Sequence, residues 1–161
     1  MPRITATEAG GANLLPFLDA LAFSEGTSNS PTTRDDGYDQ IVGRTRFTSY
    51  ASHPRVLVDL PRLGIKSTAA GRYQLLARYW DAYSKQLGLA DFSPISQDRI
   101  ALQQIKERRA VDDILAGRFD AAVEKCRNIW ASLPGAGYGQ YEHKIDDLRA
   151  VFERSGGTLG A

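Results

Sequence analysis

Residues 13–27 read NLLPFLDALAFSEGT, an apolar run that stops abruptly at a carboxylate, a glycine and a hydroxyl. Leu14, Phe17, Leu18 and Leu21 recur at three- and four-residue spacing, so the run forms one face of a helix reaching about Ser24. Asn13 is placed to cap its start and Gly26 to stop it. Glu25 therefore sits where the helix's apolar face ends and a polar loop begins. Partial burial penalises the charged form of a carboxylic acid and raises its pKa. A glycosidase requires that property of the acid that protonates its leaving group. Position alone does not single Glu25 out, because most glutamates at helix ends are solvated.

On the C-terminal side, Thr27–Gly37 (TSNSPTTRDDG) is rich in turn formers and reads as a loop. Tyr38–Tyr50 (YDQIVGRTRFTSY) is β-branched and aromatic around Gly43 and predicts a short hairpin. Residues 51–66 contain Pro54, Pro61 and Gly64 and read as an irregular excursion. Ser67 or Thr68 is placed to cap a long helix to about Leu87, along which Tyr73, Leu76, Ala77, Trp80, Tyr83 and Leu87 recur at helical spacing before Gly88. Ser93-Pro94 opens another helix, carrying Ile95, Leu102 and Ile105. Shorter helices are expected over about 110–116 and 120–131. The glycine-rich loop Pro134–Gly139 (PGAGYG) follows, then a last helix near 142–154 with Ile145, Leu148 and Phe152. Residues 1–12 read as a flexible lead-in and 13–161 as one domain. The class is α+β, mostly helical with a small antiparallel β element after the first long helix.

Composition narrows the function. With 161 residues, 42% of them hydrophobic and 24% charged, the chain suits one globular domain with a substantial core. Lysine and arginine number 20 against 19 aspartates and glutamates, and no basic stripe is present, which argues against a nucleic-acid partner. Cys126 is the only cysteine, so no intramolecular disulfide can form, and its place in AAVEKCRNIW suits a buried helix face. His53 and His143, the only histidines, lack metal-site spacing and are read as hydrogen-bonding groups. The opening MPRITATEAGGANLLPFLDALAF lacks a clean secretory core, since Pro16 and Asp19 interrupt it, and no stretch is apolar enough to span a bilayer. The expectation is a protein that accumulates in the cytoplasm of the cell that makes it, without stable membrane association.

Ala22-Phe23-Ser24-Glu25-Gly26-Thr27 is followed in order by other distinctive blocks: Gly37-Tyr38-Asp39, Ile41-Val42-Gly43, Phe47-Thr48, His53-Pro54-Arg55, Lys66-Ser67-Thr68, the stretch from Ala70 to Leu76, Trp80-Asp81-Ala82-Tyr83, Lys85 to Leu89, Phe92-Ser93-Pro94, Ala101 to Arg108, and Asn128 to Gln140. Together these blocks resemble the lambda-type endolysins, a phage family of lytic transglycosylases, over about residues 14–158. The resemblance implies a lysozyme-like fold with a cleft between a helical lobe and a small sheet. It implies cleavage of the β-1,4 bond between N-acetylmuramic acid and N-acetylglucosamine in peptidoglycan strands, leaving a 1,6-anhydromuramic acid end. It implies no metal and no organic cofactor, and release from the host cytoplasm to the wall through a separate holin-type pore. A monomer is the default. Glu25 matches the family's catalytic glutamate, and the loops around 52–66 and 134–141 match two lips of the cleft. Phe23 departs from the family's tryptophan, the Thr27–Tyr38 loop and Val56–Ile65 differ, and the amino-terminal segment is longer.

A hydrolase would need a second carboxylate, for which Asp35, Asp36 and Asp39 are candidates. Asp39, at the start of the hairpin, is favoured as a turn aspartate with a structural or positioning role over direct catalysis. Gln74 and Tyr73, at the opening of the expected long helix, are candidates to face the cleft, with Tyr73 equally suited to the core. Tyr138, between two glycines, and Gln140 in the same loop are candidates for sugar contacts, as is Tyr50 on the other side. Trp80 and Trp130 are expected in the core. The competing functions are a hydrolytic muramidase using a second carboxylate and a non-catalytic peptidoglycan-binding module.

Overall fold

Helix α2 (Leu14–Ser24) is buried nearly all round, on nine of its eleven residues, and the other helices assemble on it. The computed structural model describes residues 1–137 and 142–160. Before α2 comes a short helix α1 (Ala6–Ala9). Two hairpins follow α2: β1 (Gln40–Ile41) with β2 (Thr45–Arg46), and β3 (Val58–Leu60) with β4 (Ile65–Ser67), each antiparallel. Then come α3 (Ala77–Leu87), α4 (Pro94–Glu107), α5 (Val111–Leu115), α6 (Phe119–Cys126) and α7 (Ile145–Arg154). The result is a lysozyme-like α+β architecture. Among the described residues, no helix is long and apolar enough to cross a membrane.

Two apolar clusters organise the chain. The larger gathers Phe17, Leu18 and Leu21 of α2 with Ile105, Phe119, Cys126, Trp130, Leu148 and Phe152. The smaller lies under the hairpins and contains Ile41, Phe47, Leu75, Trp80, Phe92 and Ile100, with half-buried Tyr50 packed against both clusters. Burial pushes the Cys126 thiol up to about 12, so it stays a protonated core group.

Sequence expectations fail at four places for physical reasons. Residues 1–12 are tied down, not loose: Ile4 is buried, and the Arg3 and Ile4 amides donate to the Asp98 carboxylate at 2.7 and 3.0 Å. Asn13 gives α2 no side-chain cap. Its amide donates instead to the carbonyls of Ile114 and Thr158, and its oxygen accepts from the Thr158 amide, tying the C-terminal segment to α2. The irregular excursion contains the second hairpin, β3–β4. The helix expected from Ser67 or Thr68 begins only at Ala77. A turn at Gly71–Gln74 intervenes, with φ of +84° at Gly71 and +54° at Gln74, and Ala70 bridges to Leu75. The helical spacing was misleading because Tyr73 enters the larger cluster while Leu75 and Trp80 enter the smaller. Thr68 still serves α3 from a distance, accepting the Ala77 amide at 3.0 Å.

Candidate active site

Glu25 is the C-cap of α2, and its backbone is held by a Schellman motif. The Gly26 amide donates to the Phe23 carbonyl (3.0 Å) and the Thr27 amide to the Ala22 carbonyl (3.1 Å), with Gly26 at φ +73°. Thr27 locks the turn a second time, its hydroxyl donating to the Arg72 carbonyl at 2.6 Å. As a residue Glu25 is half-buried. Desolvation pushes its pKa up to about 8, partly opposed by a hydrogen bond from Ser132. Glu25 is thus protonated at neutral pH.

Gly37 is where the hairpin region closes on this turn. A Cβ there would lie 2.8 Å from the Ser28 nitrogen and Thr27 carbonyl carbon, and Gly37 adopts φ +87°. Gly37→Ala therefore combines a backbone clash with an unfavourable dihedral. We expect it to cost about 2–3 kcal/mol in urea denaturation and to slow cleavage by disturbing Thr27. An unchanged midpoint would refute this reading of the contact.

The three candidate second carboxylates are all engaged. Asp39 is buried, its Oδ1 accepting the Thr33 hydroxyl (2.6 Å) and its Oδ2 the Arg34 amide (3.0 Å), with Arg46 at 4.0 Å. Asp35 pairs with Arg3 and accepts the Tyr50 hydroxyl at 2.5 Å. Burial pushes Asp35 up, but these donors outweigh it and its pKa falls below the ordinary value. Asp36 is paired with the Met1 amino group and lies 3.4 Å from the Arg72 guanidinium.

Tyr73 is corrected as a sugar-contact candidate. It is only 5% exposed, and its hydroxyl donates to Asp98 at 2.6 Å. Gln74 is half-buried in its turn, with its amide donated to the Gly71 carbonyl at 2.9 Å. Together with Tyr79, Asn128 and Ile129 it lines a groove of about 280 Å³. Tyr50 is half-buried, with its hydroxyl on Asp35 and its ring edge-on to Phe47. Tyr138 and Gln140 lie outside the described residues. His53 is a hydrogen-bonding group. Its Nδ1 accepts the Arg55 amide, so the Nε2–H donates to the Leu75 carbonyl at 2.7 Å. Trp80 and Trp130 are both buried.

Sequence reasoning gave no role to Ser24, Ser132 or Asp98. Ser24 and Ser132 are buried, and their hydroxyl oxygens lie 2.7 Å apart beside Glu25. Asp98, fully buried, accepts from the hydroxyls of Tyr38 and Tyr73 and from two backbone amides. Nothing local marks these residues, because their partners are tens of residues away.

An acid at the end of a buried helix, with a hairpin region packed on the turn beyond it, places this molecule among the lysozyme-like enzymes that cleave peptidoglycan. The family described as Endolysin matches residues 15–159. The chain is 63% identical to the endolysin of Escherichia phage lambda over 145 residues, covering 89% of this chain and 90% of that one. It is 54% identical to the endolysin of Escherichia phage P2 over 155 residues, covering 91% and 94%. Its fold is similar to bacteriophage lambda lysozyme solved in complex with a chitohexasaccharide, with a TM-score of 0.89, 57% identity and 99% of both chains covered. A second lambda lysozyme structure gives a TM-score of 0.85 at 56% identity, again over 99% of both chains. The chain belongs to the endolysin family, the phage enzymes that degrade peptidoglycan to lyse the host cell.

Proposed function

We propose that this endolysin is a lytic transglycosylase in which Glu25 acts first as acid and then as base. The observation that carries this reading is the unequal state of the carboxyl groups. Glu25 is raised to about 8, while Asp35, Asp36 and Asp39 are each committed to fixed donors. A hydrolase of the common two-carboxylate kind needs a second group free to attack or to activate water. Here protonated Glu25 gives its proton to the glycosidic oxygen as the bond to the muramic acid anomeric carbon breaks. The C6 hydroxyl of the same sugar attacks that carbon and returns its proton to the Glu25 carboxylate. The acid is regenerated, no water enters, and the intramolecular attack gains effective concentration.

Peptidoglycan glycan strands are the substrate, supported by the chitohexasaccharide held by lambda lysozyme. Gln74, Tyr138 and Gln140 are proposed sugar contacts, and Tyr50 and Asp39 shape the site without reacting. The enzyme works as a monomer and needs no metal or organic cofactor. It is held in the host cytoplasm until a holin-type pore releases it to the wall.

Digestion in water enriched in ¹⁸O tests the chemistry. Products without the label at the new muramic acid end support the transglycosylase, and one labelled oxygen per cut supports a muramidase. Two further outcomes follow. The rate should hold through neutral pH and fall as pH rises through about 8, where Glu25 loses its proton. Asp39→Asn should keep kcat within about tenfold of the parent, whereas loss of the reacting carboxylate of a hydrolase lowers it by about 10²–10⁴-fold.

A further inference from the structure

The groove of about 280 Å³ beside Gln74 continues from the surroundings of the acid. Two of the segments that line it are Tyr73–Gln74 and Asn128–Trp130, and they are tied together where the Trp130 indole N–H donates to the Tyr73 carbonyl at 3.0 Å. Each runs on towards Glu25. The Arg72 carbonyl accepts the Thr27 hydroxyl at 2.6 Å, and the Ser132 hydroxyl lies 2.7 Å from that of Ser24. The first turn of α3 adds Arg78 and Tyr79 to the lining. Tyr79 is 43% exposed, high for a large aromatic side chain, and Arg78 is exposed as well. The Arg78 guanidinium lies 4.9 Å from the centre of the Tyr79 ring and donates to its hydroxyl at 3.4 Å. A guanidinium has five N–H donors in a planar fork. Among the described residues this is the only hydrogen bond of the Arg78 side chain, and no carboxylate pairs with it. Arg78 is also the only charged residue among those described in the lining.

The amides of Gln74 and Asn128 and the ring of Tyr79 suit N-acetylated sugars, which carry no charge. They leave an unpaired cation in the same groove without a role. A peptidoglycan strand differs from chitin by the short peptide on its muramic acids, and that peptide carries free carboxylates. A guanidinium fork matches a carboxylate through two parallel N–H···O bonds. We infer that Arg78, steadied by Tyr79, is a specificity-determining residue that binds a stem-peptide carboxylate of the peptidoglycan strand. This rests on glycan strands being the substrate and deepens that reading, because the enzyme then recognises the peptide as well as the sugars. The contact takes no part in bond cleavage and is equally strong in the ground state and the transition state. It therefore lowers KM and leaves kcat unchanged. Because Arg78 is exposed, the effect is about fivefold at low salt and is screened as salt rises.

The test measures kcat and KM for the parent, Arg78→Gln and Arg78→Lys on soluble peptidoglycan strands in two forms. One form keeps its stem-peptide carboxylates free, and in the other they are converted to neutral methylamides. At low salt the parent should show a KM about fivefold lower on the free form, with kcat equal on both. The gap should close in about 1 M salt, where the screening length is about 3 Å. Arg78→Gln should bring the ratio of the two KM values to about one at low salt with kcat kept, and Arg78→Lys, which keeps the charge but not the fork, should recover part of the gap. The ratio is the readout because a general disturbance of the groove would move both KM values together. A parent ratio of one, or an Arg78→Gln ratio equal to the parent's, would overturn the inference and leave the substrate reading intact. Failure of the parent to cleave either form would overturn both.

Discussion

Glu25→Gln will cut peptidoglycan about 10³-fold more slowly than the parent enzyme while folding normally, because general acid–base catalysis contributes about 10²–10⁴-fold. Glutamine keeps the shape of the side chain and can still accept from Ser132, but it has no proton to give. KM should change little, since the loss falls on a step made only in the transition state. The same substitution carries a stability signature. The folded pKa of Glu25, about 8, lies above its ordinary value of 4.5. Between those values the folded state binds the extra proton, so stability falls as pH rises through this window. The Glu25 contribution is fully present below pH 4.5 and is lost as pH passes 8. Glutamine has no charge to desolvate. Glu25→Gln should therefore melt above the parent at pH 9 and no higher than the parent at pH 4. A variant that melts at or below the parent at both pH values would show that burial does not strain this carboxyl group.

Arg72→Ala should produce the largest stability loss. The Arg72 side chain is only 1% exposed. Its Nη2 donates to Asp19 at 2.6 Å, its Nη1 to the Tyr73 hydroxyl at 3.1 Å and its Nε to the Asp36 carbonyl at 2.9 Å. Its guanidinium also lies over the rings of Tyr38 and Tyr73. Removing it leaves Asp19 buried without its guanidinium and opens a void between two aromatic rings. Breaking a buried pair in this way costs about 3–5 kcal/mol, or about 10–15 °C in Tm for a chain of this length. Activity should fall as well, because the Arg72 carbonyl anchors Thr27 beside the acid. Chemical denaturation with a two-state fit checks the first claim, and a loss under about 1 kcal/mol would mean that the pair behaves as a solvated one.

Legibility in the sequence followed the range of the forces involved. Helix α2 could be read because its apolar period is long and its stop is local, with Gly26 next to Glu25. Asp39 could be read as a turn aspartate because its partners, Thr33 and Arg34, are six and five residues away. The start of α3 misled because Tyr73 and Trp80 fit one helical face in sequence but serve different apolar clusters in space. Asn13 was placed as a cap because asparagine favours helix starts, yet partners at Ile114 and Thr158 claim its side chain. Arg72, Asp98 and the Ser24–Ser132 pair carry no local signal. Apart from the bond from Arg72 Nη1 to neighbouring Tyr73, their partners lie 25 to 108 residues away in sequence. Glu25 itself emerged from the order of many blocks, not from its own surroundings.

Mass spectrometry of the muropeptides released from purified Gram-negative sacculi tests the central claim most directly, with the parent protein and Glu25→Gln run in parallel. The account predicts parent products ending in 1,6-anhydromuramic acid, each lighter by one water than a hydrolysed end and resistant to borohydride, and only a trace of them from Glu25→Gln over the same digestion time. Reducible ends from the parent would contradict it and return attention to Asp39 as the second carboxylate of a muramidase.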